Sequence, residues 1–243
     1  MQLGQPLQGS HPGESGLSLL DYYLRDQAVV PPTQGVFLAE SRRMHPEICR
    51  IISSAFYEGR LDAWAGTSGR RLEIPAQHLK QHLAPAGIRF VDVPHIGNIQ
   101  GSDEEVEAIV ELTQRLLACS LCDDTQHEKR PLTIDDILYV APYNLQVRKL
   151  REALPAGARV GSVDKFQGQE AAVVIVSMCA SAGEFGSRGL KFLLDTNRLN
   201  VAVSRAKVLT LVVGDGRIAE SQANSVADMK LINLFCRLRN YSD

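Results

Sequence analysis

The 243-residue sequence has one tryptophan, 6% aromatic residues, five cysteines and no long apolar run. Its longest apolar stretch, residues 171–178, is broken by Ser177 and falls far short of the ~20 residues that cross a bilayer. The start has neither a basic cluster nor an apolar segment behind it, so nothing marks it for secretion. An odd number of cysteines at irregular spacing argues against a disulfide framework and suits a reducing compartment. Internal repeats and low-complexity tracts are also missing. These absences lead to the expectation of a soluble, cytoplasmic chain. What is there is ordinary for a globular protein: 44% hydrophobic, 22% charged, net charge −2. The length suits one large domain or two small ones, burying about 70% of the unfolded surface.

Charge is unevenly spread. Residues 102–136 hold ten acidic and three basic side chains, while residues 188–207 hold five basic and one acidic. The acidic stretch reads as a solvated helix: Ser102 can cap it, Glu105 sits three residues on as in a capping box, and early acids suit the helix dipole. Residues 36–39, 88–93, 137–141, 159–163, 172–178 and 208–213 read as strands, several continuously apolar and β-branched, the pattern of strands buried on both faces. Helical stripes follow Pro46 and Ser102 and run through Val147/Leu150/Leu154 and Leu199/Ala202/Val203/Ala206. The alternation predicts one α/β domain, a largely parallel sheet with helices on both faces, and chemistry at the carboxyl ends of its strands. Residues 1–16, 31–35, 65–71, 122–131 and 183–189 read as loops, and residues 228–239 as a packing helix.

Three segments could carry chemistry. Glu40-Ser41-Arg42-Arg43-Met44-His45-Pro46-Glu47 places two guanidiniums beside a helix start, a plausible phosphate site. Residues 161–170, Gly-Ser-Val-Asp-Lys-Phe-Gln-Gly-Gln-Glu, form a short polar connection between buried strands, with Gly168 allowing close backbone approach and Glu170 supplying a carboxylate. Residues 195–207 hold Arg198 and Arg205 seven apart, hence along one helical stripe, beside an apolar face that fixes them. Each segment also has a plain reading as surface charge or a tight turn, and spacing alone decides none of them. Cys119-x-x-Cys122 with His127 lacks a fourth ligand at zinc-site spacing, so packing is the simpler account. The acids at 103, 104, 105 and 107 need no nuclease to explain them.

In this order, the segments R-R-M-H-P-E, S-V-D-K-F-Q-G-Q-E and N-R-L-N-V-A-V-S-R-A-K resemble the fourth, fifth and sixth motifs of superfamily 1 helicases. The branch resembled holds the nonsense-mediated-decay helicase and helicases fused to RecB-like nucleases. V-A-P-Y-N-L-Q resembles the start of a nucleic-acid-contacting loop, and Gln2-Leu3-Gly4 the tail of the third motif. The resemblance implies a second RecA-like domain of the P-loop NTPase type. Residues 1–35 would be the third-motif tail and linker, 36–220 the motor domain and 221–243 a C-terminal helix. ATP would bind between this domain and a first RecA-like domain, from the same polypeptide or a partner chain. Arg43 would contact the γ-phosphate, Arg205 would be the arginine finger, and Gly168 and Glu170 would line the nucleotide. Gln2 would sense the γ-phosphate. Ser162 and Asp164 would link the nucleotide to the bound strand, with Tyr143 and Asn144 contacting it. The strand would be single-stranded DNA in preference to RNA.

Several departures qualify this expectation, among them Gln169, between Gly168 and Glu170, where the family commonly has Arg or Lys. Arg42 stands where the family often has an aromatic residue on adenine, and its guanidinium plane would stack instead. No G-x-x-x-x-G-K-[ST] occurs: Gly4 and Gly9 have the spacing, but Ser10-His11 follow. A Walker B acidic pair after an apolar strand is missing too. The expectation is half a motor, excised or from a fragmentary reading frame. It would be inactive alone, with Mg²⁺ held mainly by the other half, no metal site of its own, and any nuclease in a separate domain. The rival is a non-catalytic nucleic-acid-binding or protein-interaction module.

Overall fold

Runs of β-branched residues without polar alternation build the centre of the molecule. The computed structural model describes residues 19–24, 27, 29–78, 83–124, 126, 128–183 and 189–240. Its helices are α1 (Leu19–Leu24), α2 (Pro46–Phe56), α3 (Asp103–Leu117), α4 (Asn144–Ala153), α5 (Gly189–Leu193), α6 (Thr196–Val203) and α7 (Val226–Asn240). Its strands are β1 (Glu40–Ser41), β2 (Asp62–Ala63), β3 (Arg70–Glu73), β4 (Gly87–Asp92), β5 (Ser120–Asp123), β6 (Glu128–Pro131), β7 (Ile137–Val140), β8 (Arg159–Gly161), β9 (Ala171–Ser177) and β10 (Ala206–Gly214).

Five strands pair in the order β4-β10-β9-β7-β8, all parallel. Every residue of β7 and β9 is buried, and successive side chains feed opposite layers. Leu138, Val140, Val174 and Val176 meet Ile48, Ile52 and Leu199 on one face, and α7 adds Phe235 there, edge-on to Phe90 at 5.4 Å. Ile137, Tyr139, Val173 and Ile175 meet Ile109, Leu116 and Leu150 on the other. This is the expected α/β architecture, a RecA-like domain. Among the described residues no helix is long and apolar enough to cross a membrane.

Two expectations fail. Residues 36–39 do not form a strand: Val36 and Leu38 are 86% and 80% exposed, Phe37 packs on Tyr57, and ladder pairing begins only at β1. The stretches read as loops at 65–71 and 122–131 instead hold a short 3₁₀ turn (Ala65–Gly69) and a three-stranded antiparallel sheet, β3-β5-β6. Cross-strand ion pairs hold that sheet, with Arg70 on Asp123 at 2.9 Å and Lys129 on Glu73 at 2.7 Å. Its strands lack the apolar alternation that would have revealed them.

Candidate functional site

The loop from β1 into α2 carries Arg42 and Arg43. Pro46 starts α2, and the His45 ring accepts a hydrogen bond from the Glu47 N–H, so the helix begins at a fixed point. The loop is tied down twice more. The His45 N–H donates to the Lys207 carbonyl at 2.8 Å, and Arg70 donates to the Arg43 and Arg42 carbonyls at 2.8 and 3.2 Å. Arg70 is itself paired with Asp123, both nearly buried.

Arg43 then meets the other two segments. Its Nε donates to Glu170 Oε2 at 2.9 Å and its Nη1 to the Ser204 carbonyl at 3.3 Å. Lys207 holds the other Glu170 oxygen at 2.7 Å. Hydrogen bonds from Lys207, then Arg43, keep the Glu170 carboxyl below the ordinary carboxylate range. Lys207 reaches Glu170 because β10 bulges: Ala206 faces Ala171 and Leu209 faces Val173, so three steps on β10 match two on β9. Such bulges re-aim side chains beside functional sites. Arg205 donates to the Val201 and Gln169 carbonyls at 3.1 and 3.4 Å, and burial together with Arg43 lowers its guanidinium below its ordinary value. Gly168, at φ +85°, has open space where a Cβ would stand. Arg42 is 74% exposed, pairs with Glu40, and lies over the Trp64 ring at 5.2 Å.

This cation cluster sits at the amino ends of β9 and β10, not at the carboxyl ends where chemistry was expected. The carboxyl edge holds a second site, a pocket of about 330 Å³ lined by Tyr143, Asn144, Ser162 and Asp164 with Gln100, Phe192 and Arg198. Four residues predicted from separate segments therefore meet. Asn144 and Asp164 are exposed, whereas Tyr143 is 5% exposed, its ring tilted on Phe192 at 5.1 Å. Arg198 and Arg205 do not share a stripe. Helix α6 ends at Val203, leaving Arg198 in the carboxyl-edge pocket and Arg205 in the amino-edge cluster. Gln2 and His127 lie outside the described residues.

A buried polar network around Glu105 has no counterpart in the expectations from sequence. Ser102 caps α3 through the Glu105 N–H, but the Glu105 carboxylate does not fold back on the cap. It is fully buried and accepts from Ser177 Oγ at 2.5 Å, the Cys179 N–H at 2.8 Å and His95 Nε2 at 2.9 Å. His95 Nδ1 lies 2.7 Å from Ser181 Oγ. The Gln146 side chain accepts from the Ser102 N–H and donates to Ser177. Burial alone would lower His95; hydrogen bonding to Glu105 and the charges of Glu105, Glu104 and Asp215 outweigh it and raise the imidazole above its ordinary value. The signal was present in phase: Glu105, Ile109, Leu112 and Leu116 share one helix face, and that face is the buried one.

Comparison with known proteins matches the family model described as an AAA domain to residues 16–217. DNA-binding protein SMUBP-2 of Mesocricetus auratus is 31% identical over 192 residues, 74% of this chain and 18% of that protein. Regulator of nonsense transcripts 1 homolog of Drosophila melanogaster is 27% identical over 234 residues, 91% of this chain and 18% of its own. Helicase SEN1 of Saccharomyces cerevisiae is 31% identical over 186 residues, 72% and 8% respectively. The chain thus spans less than a fifth of the length of each of these relatives.

Proposed function

This chain belongs to the superfamily 1 helicases of the nonsense-mediated-decay-like branch, and from that we infer that it serves as the second motor domain of an ATP-dependent helicase. The observation that carries the reading is the amino-edge cluster. Arg43, Arg205 and Lys207 against Glu170 give three cations and one carboxylate, net +2, on a partly exposed surface. That charge fits a polyphosphate. It does not fit Mg²⁺, since the one carboxylate is already held by two cations, so the metal falls to the first motor domain.

ATP supplies the phosphoryl-transfer chemistry when bound; this chain supplies charge and position. Arg43 and Lys207 hold terminal phosphate oxygens. Arg205 neutralises the charge that develops in transfer, a role worth about 10³–10⁵ in rate. Glu170 keeps the cations apart and in place until the anion arrives. Arg42, with its guanidinium over Trp64, offers a flat surface beside Arg43 for the base. The carboxyl-edge pocket takes the single strand, DNA in preference to RNA. The two sites lie toward opposite ends of the parallel sheet, and both α6 and the 162–170 connection run between them.

The test is single-strand-stimulated ATPase activity of this chain alone, then joined to a first RecA-like domain that carries the Walker lysine. Turnover in the joined form only is expected. Strand binding without turnover in either form would favour a non-catalytic binding module. Turnover by the chain alone would overturn the half-motor reading.

A further inference from the structure

The carboxyl-edge pocket contains one cation and one anion, and they face each other. Arg198 Nη2 stands 3.8 Å from Asp164 Oδ2, too far for a hydrogen bond. Its guanidinium lies over the Phe192 ring at 4.5 Å, and Phe192 rests in turn on Tyr143. Tyr143, Phe192 and Arg198 therefore pack one against the next, three planar groups from three segments, with the two rings tilted at 43°. A guanidinium seated on a ring keeps its N–H edges free and has little rotamer freedom left to lose on binding. The other polar lining groups, Gln100, Asn144 and Ser162, are neutral. A nucleic-acid backbone entering the pocket meets one attractive charge and one repulsive one.

We propose that Arg198 is the phosphate-binding cation of this pocket and that Asp164 is its exchangeable counter-ion, displaced when a strand phosphate takes the guanidinium. The proposal rests on the strand-binding reading above and gives the two charged residues opposite effects on affinity. It also places the exchange on the two segments that reach the other site. Arg198 is in α6, which leads into Ser204 and Arg205, and Asp164 is in the turn that leads into Gln169 and Glu170.

The experiment is fluorescence anisotropy of the 243-residue chain with a fluorescein-labelled oligodeoxythymidylate dodecamer, and its uridylate counterpart, across a range of salt. Arg198→Met should weaken binding about tenfold, as loss of a charge-assisted hydrogen bond does. It should also reduce the slope of log affinity against log salt by about 0.7, one phosphate contact on a single strand. Asp164→Asn should tighten binding several-fold, and in the Arg198→Met background that gain should shrink to the smaller relief of repulsion between Asp164 and the strand. Asp164 is exposed, so its variant reports even where Arg198→Met fails to fold. Unchanged affinity in both variants, or weaker binding by Asp164→Asn, with wild-type binding intact, overturns the proposal and leaves the strand-binding reading standing. Failure of the wild-type chain to bind either oligomer overturns that reading and this proposal with it.

Discussion

Replacing Glu105 offers a stringent test of the buried network around His95. Glu105→Ala removes the acceptor of three donors and leaves His95 fully buried without its carboxylate. Breaking a buried ion pair from one side costs about 3–5 kcal/mol. For a domain of this size each kcal/mol moves Tm by roughly 2–4 °C, so a fall of about 6–20 °C is expected. Glu104→Ala, one residue back and about 100° round the helix on its exposed side, should move Tm far less. The pH dependence carries the sharper test. His95 is raised above its unfolded value, so its stabilisation is present below about pH 6.5 and is lost as pH climbs through the folded value. In Glu105→Gln, burial becomes the dominant influence and the imidazole falls below its unfolded value. Its contribution to stability should then grow with pH across the same window. Thermal melts of both proteins between pH 5 and 9 read the two slopes. Parallel curves, or a Tm loss in Glu105→Ala no larger than that of Glu104→Ala, would show that the carboxylate does not raise the His95 imidazole.

Three further outcomes test the amino-edge cluster. In the assembled motor, Arg205→Ala should abolish turnover while leaving ATP binding within a few-fold; retained turnover removes the finger assignment. The chain has a single tryptophan, and Arg42 lies over it, so Trp64 fluorescence should respond to ATP but hardly to tripolyphosphate. Arg42→Ala should weaken ATP more than tripolyphosphate. Equal responses would place Arg42 on phosphate instead of the base.

The strands were legible where burial wrote them. β7, β9 and β10 are covered on both faces, so their apolar runs admit no other reading, and the helices beside them show one apolar stripe each. The antiparallel sheet was not legible, because Arg70, Glu73, Asp123 and Lys129 satisfy one another across strands and the segments look like polar loops. Arg70, which anchors the Arg42–Arg43 loop, is hidden in the same pattern. Spacing puts Arg198 and Arg205 on one stripe, but the helix stops between them, and helix ends are the least certain feature of any periodicity. Glu105 looks solvated by its chemical type, whereas its phase on α3 places it inside. The grouping of Arg43, Glu170 and Arg205 came from motif resemblance; contact across 127 residues leaves no trace in local pattern.

The bulge in β10 sets two demands on the chain against each other. Deleting Val208 would let β10 run in even register along β9, but it would remove a side chain that fills the core. It would also shift the side-chain alternation by one position and turn the ammonium of Lys207 away from Glu170. Ladder regularity and core filling therefore pull against each other at this one position, and the contact between Lys207 and Glu170 is lost whichever wins. A sequence shortened there should lose turnover whatever happens to its thermal resistance, so a population screened for turnover should keep the extra residue.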